Sequence, residues 1–172
     1  MKRLLHLSRL QSRISKGLIT LSLSLLLFAG LIGCGSLGNY QSTDLGVEFS
    51  YPANWTRQDT QQIAPLFVSP DGVANVGVTK EILPQVMTTD AYFAALNQQL
   101  QTKGYILCGM RQTQVGNSNG IQAVYLNKGL FQVFSVVAKG QTAWSLIETA
   151  KAEQFIDWAQ TFNEVTHSFK VQ

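Results

Sequence analysis

Histidine and cysteine are nearly missing from this 172-residue chain, which has two of each. That scarcity excludes several kinds of chemistry. His6 lies near the start, so His167 is the one histidine of everything that follows. A Ser/His/Asp or Cys/His nucleophile needs its base within hydrogen-bond reach. His167, in Thr166-His167-Ser168, reads instead as a surface residue at the end of the last helix, favoured there by the negative end of the helix dipole. Zinc sites need clustered His and Cys, and no such spacing occurs. Asp71-Gly72 lacks the further carboxylates of a calcium loop and reads as a turn. There is no glycine-rich phosphate loop after a strand, no internal repeat and no low-complexity segment. The expectation is a chain that is not an enzyme and holds no metal or cofactor.

Acidic residues are absent from the first 33 positions. Five of the 13 Lys and Arg (Lys2, Arg3, Arg9, Arg13 and Lys16) lie there, and all ten Asp and Glu come later. The remainder therefore has 8 basic and 10 acidic side chains, a net charge of −2, although the whole chain has a pI near 9.0. A slightly acidic domain has no electrostatic footprint for nucleic acid.

What is present begins with a leader. Residues 1–17 are basic, and residues 18–33 form an apolar run broken only by Thr20, Ser22 and Ser24. That is the order of an export signal, and the uncharged stretch is shorter than the roughly 20 residues that span a bilayer core comfortably. Leu31-Ile32-Gly33-Cys34 resembles the lipobox of bacterial lipoproteins. The resemblance implies diacylglyceryl transfer to the Cys34 thiol, cleavage between Gly33 and Cys34, and acylation of the new amino group, palmitate being a typical chain. The competing reading is an uncleaved signal anchor. Lipidation of Cys34 leaves Cys108 without a partner for an intramolecular disulfide; between Leu107 and Gly109 it reads as a small buried hydrophobe. Two or three acyl chains would hold the protein stably on a membrane.

Residues 1–33 are thus expected as a signal peptide, 34–39 as a lipidated tether and 40–172 as one domain. Gly35 to Asn39 would reach about 16–18 Å when extended, little more than the radius of gyration of about 14 Å expected for such a domain. Gly46 to Pro52 alternates with Val47, Phe49 and Tyr51 to one side and stops at Pro52. Ala64 to Val68 and Val73 to Ile82 flank the turn Ser69-Pro70-Asp71-Gly72. A helix capped by Thr88 or Thr89 carries Phe93, Leu96 and Leu100 at helical spacing and ends at Lys103-Gly104. Strands follow over 105–115, 121–127, 130–139 and 142–149, with 116–120 as a hairpin loop. Residues 130–138 are apolar in both alternating sets, which marks a central strand covered on both sides. A last helix, 151–168, carries Phe155, Trp158, Ala159, Phe162 and Val165 on one stripe. The class is α+β: one antiparallel sheet of about six or seven strands, with helices on its faces.

Gly46, Phe49, Tyr51, Pro52 and Trp55 near the start, Trp144 in the late strand, and Phe155 and Phe162 in the last helix resemble the PsbP-like family, including its cyanobacterial lipoprotein members. The likeness covers nearly the whole domain in layout. It implies a non-enzymatic subunit or assembly helper at the lumenal face of a photosynthetic membrane, related to photosystem II. The same fold also suits envelope lipoproteins with no photosynthetic link. Metal binding in that family rests on His and carboxylates, of which only His167 among the histidines remains here.

Trp55, Trp144, Trp158, Phe155 and Phe162 are expected to build the core. Tyr40, Tyr51 and Trp55, nearest the tether, are the aromatics to suspect of partner binding, since such side chains favour interface hot spots. Two functions are open. One is a membrane-anchored extracytoplasmic accessory or assembly protein, in the cell envelope or thylakoid lumen, that binds a membrane protein through a sheet edge or face. The other is an envelope lipoprotein that binds a small molecule or lipid between sheet and helix.

Overall fold

The computed structural model describes residues 36–59 and 65–172. The expected signal peptide, 1–33, and the expected lipidation site Cys34 lie outside the described residues. Residues Ser36–Gln172 form one compact unit.

Its first strand, β1 (Leu37–Ser42), runs antiparallel to β2 (Val47–Pro52), from the pair Leu37–Pro52 to the pair Ser42–Val47. Leu37, Gly38 and Asn39, expected in the tether 34–39, are sheet. The small residues that read as slack have a packing role. A Cβ on Gly38 would lie 2.8 Å from Cζ of Tyr51, so glycine lets the tyrosine ring lie against the β1 backbone. Only Gly35 and Ser36 separate Cys34 from the first strand.

On its other side β2 pairs with β10 (Lys170–Val171), which closes a three-stranded sheet in the order β1-β2-β10. Val47 and Phe49 of β2 are fully buried, as their alternation requires.

The remaining strands are β3 (Thr56–Gln58), β4 (Leu66–Val68), β5 (Ala74–Ile82), β6 (Ile106–Val115), β7 (Ser118–Asn127), β8 (Leu130–Lys139) and β9 (Thr142–Lys151). They form a wholly antiparallel seven-stranded sheet in the order β3-β4-β5-β9-β8-β7-β6. The expected sheet of six or seven strands is this one; the Val47 strand belongs to the smaller sheet. The loop expected over 116–120 is only Gly116 and Asn117, and β7 starts at Ser118, opposite Val115. Gly116 has φ +57°, and its α-carbon lies against the carbonyl of Phe169. Glycine fits there and a side chain does not.

Helix α1 (Thr89–Thr102) starts at Thr88, whose side chain accepts a hydrogen bond from the Ala91 N–H at 3.2 Å. After a single 3₁₀ turn at Ala152–Gln154, helix α2 (Phe155–Ser168) follows. The registers place Phe134 and Val136 on one face with Ile121, Ala123 and Tyr125, where Tyr92, Phe93 and Leu100 of α1 cover them. Val137, Trp144, Leu146 and Ala150 face the other way, among Val47, Phe49, Phe162 and Val165. One face is thus covered by α1 and the other jointly by α2 and the small sheet.

The small sheet and its β1–β2 turn are also tied by hydrogen bonds to the large sheet and to α2. Trp144 Nε1 donates to the Leu45 carbonyl at 2.7 Å, and the Ser50 N–H donates to Ser168 Oγ at 2.8 Å.

Gly116→Ala should cost far more stability than Gly140→Ala. Both have positive φ, a strain of about 1–2 kcal/mol for a side chain. Gly140 faces open space, whereas a Cβ at Gly116 would fall 1.2 Å from the Phe169 oxygen. In urea unfolding the loss should be about 1 kcal/mol for Gly140→Ala and at least about 3 kcal/mol for Gly116→Ala; equal losses would contradict the contact.

Candidate functional site

The three aromatics expected at a partner surface lie in one region but differ in role. Trp55 is 5% exposed and meets Trp158 of α2 edge-on, with ring centroids 5.4 Å apart. It is a core residue with almost no surface to offer a partner: the turn after Pro52 directs its ring inward beneath α2. Tyr40 and Tyr51 are half-buried. The Tyr51 ring lies 3.9 Å from that of Phe67, and Tyr40 packs edge-on against Phe67 at 5.5 Å. The Arg57 guanidinium stands 5.2 Å over the Tyr40 ring, while its Nε donates to Asp59 Oδ1 at 3.0 Å. The outer faces of these two tyrosines form a partly open rim on an otherwise filled cluster.

His167 is exposed on the last turn of α2, its Nδ1 2.7 Å from the Asn163 carbonyl. Cys108 is also exposed, against the expectation of a buried thiol. It occupies a bulge between Leu107 and Gly109 in β6, where the register with β7 shifts. An extra residue at a bulge leaves the regular alternation, so strand parity does not foretell its side. Among the described residues no three His, Cys, Asp or Glu come together as metal ligands. No helix there is long and apolar enough to cross a membrane.

The most unusual chemistry lies beneath α2. On β9, Trp144, Leu146, Glu148 and Ala150 point to the same face, and Glu148 is completely buried. Its Oε1 accepts a hydrogen bond from Thr166 Oγ1 of α2 at 3.0 Å, and its Oε2 has no partner. Burial pushes the carboxyl well above the usual range, and the Thr166 bond opposes that only in part. From Thr166 a polar line crosses the sheet. Ser135 Oγ lies 3.4 Å from Thr166 Oγ1, Gln122 Nε2 donates to Ser135 Oγ at 3.3 Å, and Arg111 Nη2 donates to Gln122 Oε1 at 2.8 Å. A buried acid thus connects to an exposed guanidinium through three neutral side chains.

A crevice of about 140 Å³ lies over this line, bounded by Val124, Val133, Phe155, Ala159 and Phe162, with Arg111, Gln122, Asn163 and Glu148 also in its walls. Glu148 lies within 142–149, a segment whose pattern by itself says only strand. The available signal was its parity: an acid in the same alternating set as Trp144 and Leu146 has to point into the core.

Two of the larger depressions contain polar side chains that pair with one another. One, of about 610 Å³ beside the start of α1, holds Asp90, which accepts from Gln112 Nε2 at 2.9 Å, and Asn119, which accepts from Gln114. The other, of about 350 Å³ between α1 and β5, holds Tyr92, whose hydroxyl donates to Glu81 Oε2 at 2.9 Å. Burial, then Glu81, push the Tyr92 hydroxyl to about 12.

Glu148 makes stability depend on pH in a known direction. The folded chain holds its proton above the ordinary carboxyl value of about 4.3, where the unfolded chain has released it. The contribution is complete below that value and is lost as pH rises, by about 1.4 kcal/mol per unit until the folded carboxyl ionises. In unfolding measurements from pH 4 to 8, wild type should lose stability relative to Glu148→Gln as pH increases. A difference between the two that does not vary with pH would disprove a raised carboxyl.

No family model matches the sequence, and no sequence relative is found among curated proteins. Solved structures do match. Cyanobacterial PsbP from Synechocystis is 17% identical, with a TM-score of 0.64 over 83% of this chain and 96% of that one. A protein from Bacteroides thetaiotaomicron is 15% identical, with a TM-score of 0.55 over 78% of this chain and 48% of that one. LpqN of Mycobacterium tuberculosis, described as involved in cell envelope biogenesis, is 13% identical, with a TM-score of 0.50 over 80% of this chain and 91% of that one. The chain has the PsbP-like fold.

Proposed function

We propose that this protein is a lipid-anchored, non-enzymatic accessory or assembly factor on the extracytoplasmic side of a membrane, where it binds a membrane protein complex. The observation that carries the reading is the placement of Cys34 in its lipobox, three residues before Leu37 opens β1. Three residues span about 10 Å at most, so an acylated Cys34 would hold the small sheet against the bilayer. The PsbP-like fold supports an extracytoplasmic setting, since its neighbours include cyanobacterial PsbP and an envelope-biogenesis protein. The cyanobacterial likeness favours a photosynthetic complex of the photosystem II kind as partner.

The surface best suited to such a partner is β6. This ten-residue strand ends the seven-stranded sheet, with no strand on its outer side among the described residues. It carries one charge, Arg111, and it exposes Ile106 at 62% and Met110 at 52%. An open, weakly charged edge is a template for strand addition by another chain.

Metabolic labelling with palmitate should mark wild type and leave Cys34→Ser unlabelled and uncleaved; wild type retaining its leader would refute the anchor. Crosslinking in native membranes should capture a membrane protein, and Met110→Lys should reduce that capture severalfold. Such a surface change should alter stability by no more than about 0.5 kcal/mol. A detergent-solubilised protein that migrates alone and crosslinks to nothing would refute the accessory role.

A further inference from the structure

We propose that the crevice between α2 and the large sheet binds a small aliphatic amino acid, its ammonium against Glu148 and its carboxylate against Arg111. The inference does not depend on the lipid anchor or on partner binding at β6.

Three observations converge on the crevice. The first is an unmet demand within it. Glu148 is fully buried, one oxygen is taken by Thr166, and Oε2 is unpaired. Buried polar groups without partners are rare in native proteins, and each calls for an explanation. An ammonium group brings donors to that oxygen, and its positive charge favours the ionised carboxylate that burial alone disfavours.

The second is the position of the opposite charge. Arg111 pairs across the ladder with Gln122, which is opposite Ser135 on β8, itself opposite Leu146 on β9. Glu148 lies two residues beyond Leu146 on β9, so it stands three strand spacings across the sheet and two residues along it from Arg111, about 16 Å between backbones, and both side chains line the crevice between. The guanidinium spends two donors on Gln122. Its remaining donors suit a carboxylate, a pairing stronger than a neutral hydrogen bond.

The third is size. At about 140 Å³ the space is close to a cavity of roughly 150 Å³ that accepts benzene. It suits a molecule of that order and is too small for an acyl lipid. Val124, Val133, Phe155 and Phe162 supply apolar walls for a short branched side chain. A simple fatty acid fits less well, because its tail would meet the unpaired oxygen. A simple amine leaves Arg111 without an anion.

The test is calorimetric titration of the full chain in detergent micelles with L-valine, and with two analogues that each lack one charge: isobutylamine and 3-methylbutanoate. L-valine should bind at least tenfold more tightly than either. Glu148→Gln and Arg111→Ala should each weaken it at least tenfold. Ala159→Phe, which fills the crevice from α2, should abolish binding; Ala159→Leu is the milder variant if the larger ring disturbs folding, which circular dichroism would reveal. Three outcomes would overturn the proposal: no saturable binding of L-valine, L-alanine or L-leucine; L-valine binding unchanged in a folded Ala159 variant; or either analogue binding as tightly as L-valine.

Discussion

Strands β8 and β9 bury side chains on both of their faces, so each side of the sheet centre has to be sealed by another element. Val137 and Leu146 point one way, Phe134 and Ala143 the other, and all four are at most 5% exposed. A sheet buried on both sides needs cover on both. One side needs only α1, because Tyr92, Phe93 and Leu100 span the apolar stripe beneath. The other is broader, extending from Ala74 to Val115. One 14-residue helix, about 21 Å long, does not cover it. The three-stranded sheet covers the rest, and its strands are drawn from both ends of the domain because α2 already occupies the middle.

Sequence pattern revealed the parts of this arrangement that depend on local periodicity. The alternation in Val47–Tyr51, the helical stripe of α2 and the double-sided character of 130–138 all record which way a side chain points. What remained hidden depends on contacts between distant residues. Gly38 looks like linker composition until the Tyr51 ring against it is known. Gly116 has to be glycine because the Phe169 carbonyl, some fifty residues away in the chain, crowds the corner. Cys108 escaped parity because it sits in a bulge. Trp55 was legible as a core residue but not as one closed to partners, since Trp158 that covers it belongs to the last helix.

The polar line beneath α2 was the least legible feature, and physically the most demanding. It places a carboxyl where apolar side chains would pack more cheaply, held by one hydrogen bond from a helix that otherwise docks through Phe162 and Val165. The charge state of Glu148 therefore bears directly on how α2 sits. Leaving one oxygen unpaired costs about 1–3 kcal/mol, a large part of the margin of an ordinary domain. Arg111, at the exposed end of the same line, couples this interior position to the surface without a buried ion pair.

The small sheet also imposes an order of events. Its middle strand, β2, needs β10 as a neighbour, and the pair Glu48–Lys170 joins residues 122 positions apart. The hairpins of β6 to β9 close over short loops and can form while the chain is still emerging. The β2–β10 ladder has to wait for residue 171, and it bears the entropy of the longest loop in the domain. Until then Val47 and Phe49 lack their final cover. Were the chain threaded through a membrane from its first residue, β2 would lack its second neighbour until the last residues had crossed, and this sheet would be completed only at the end of transport.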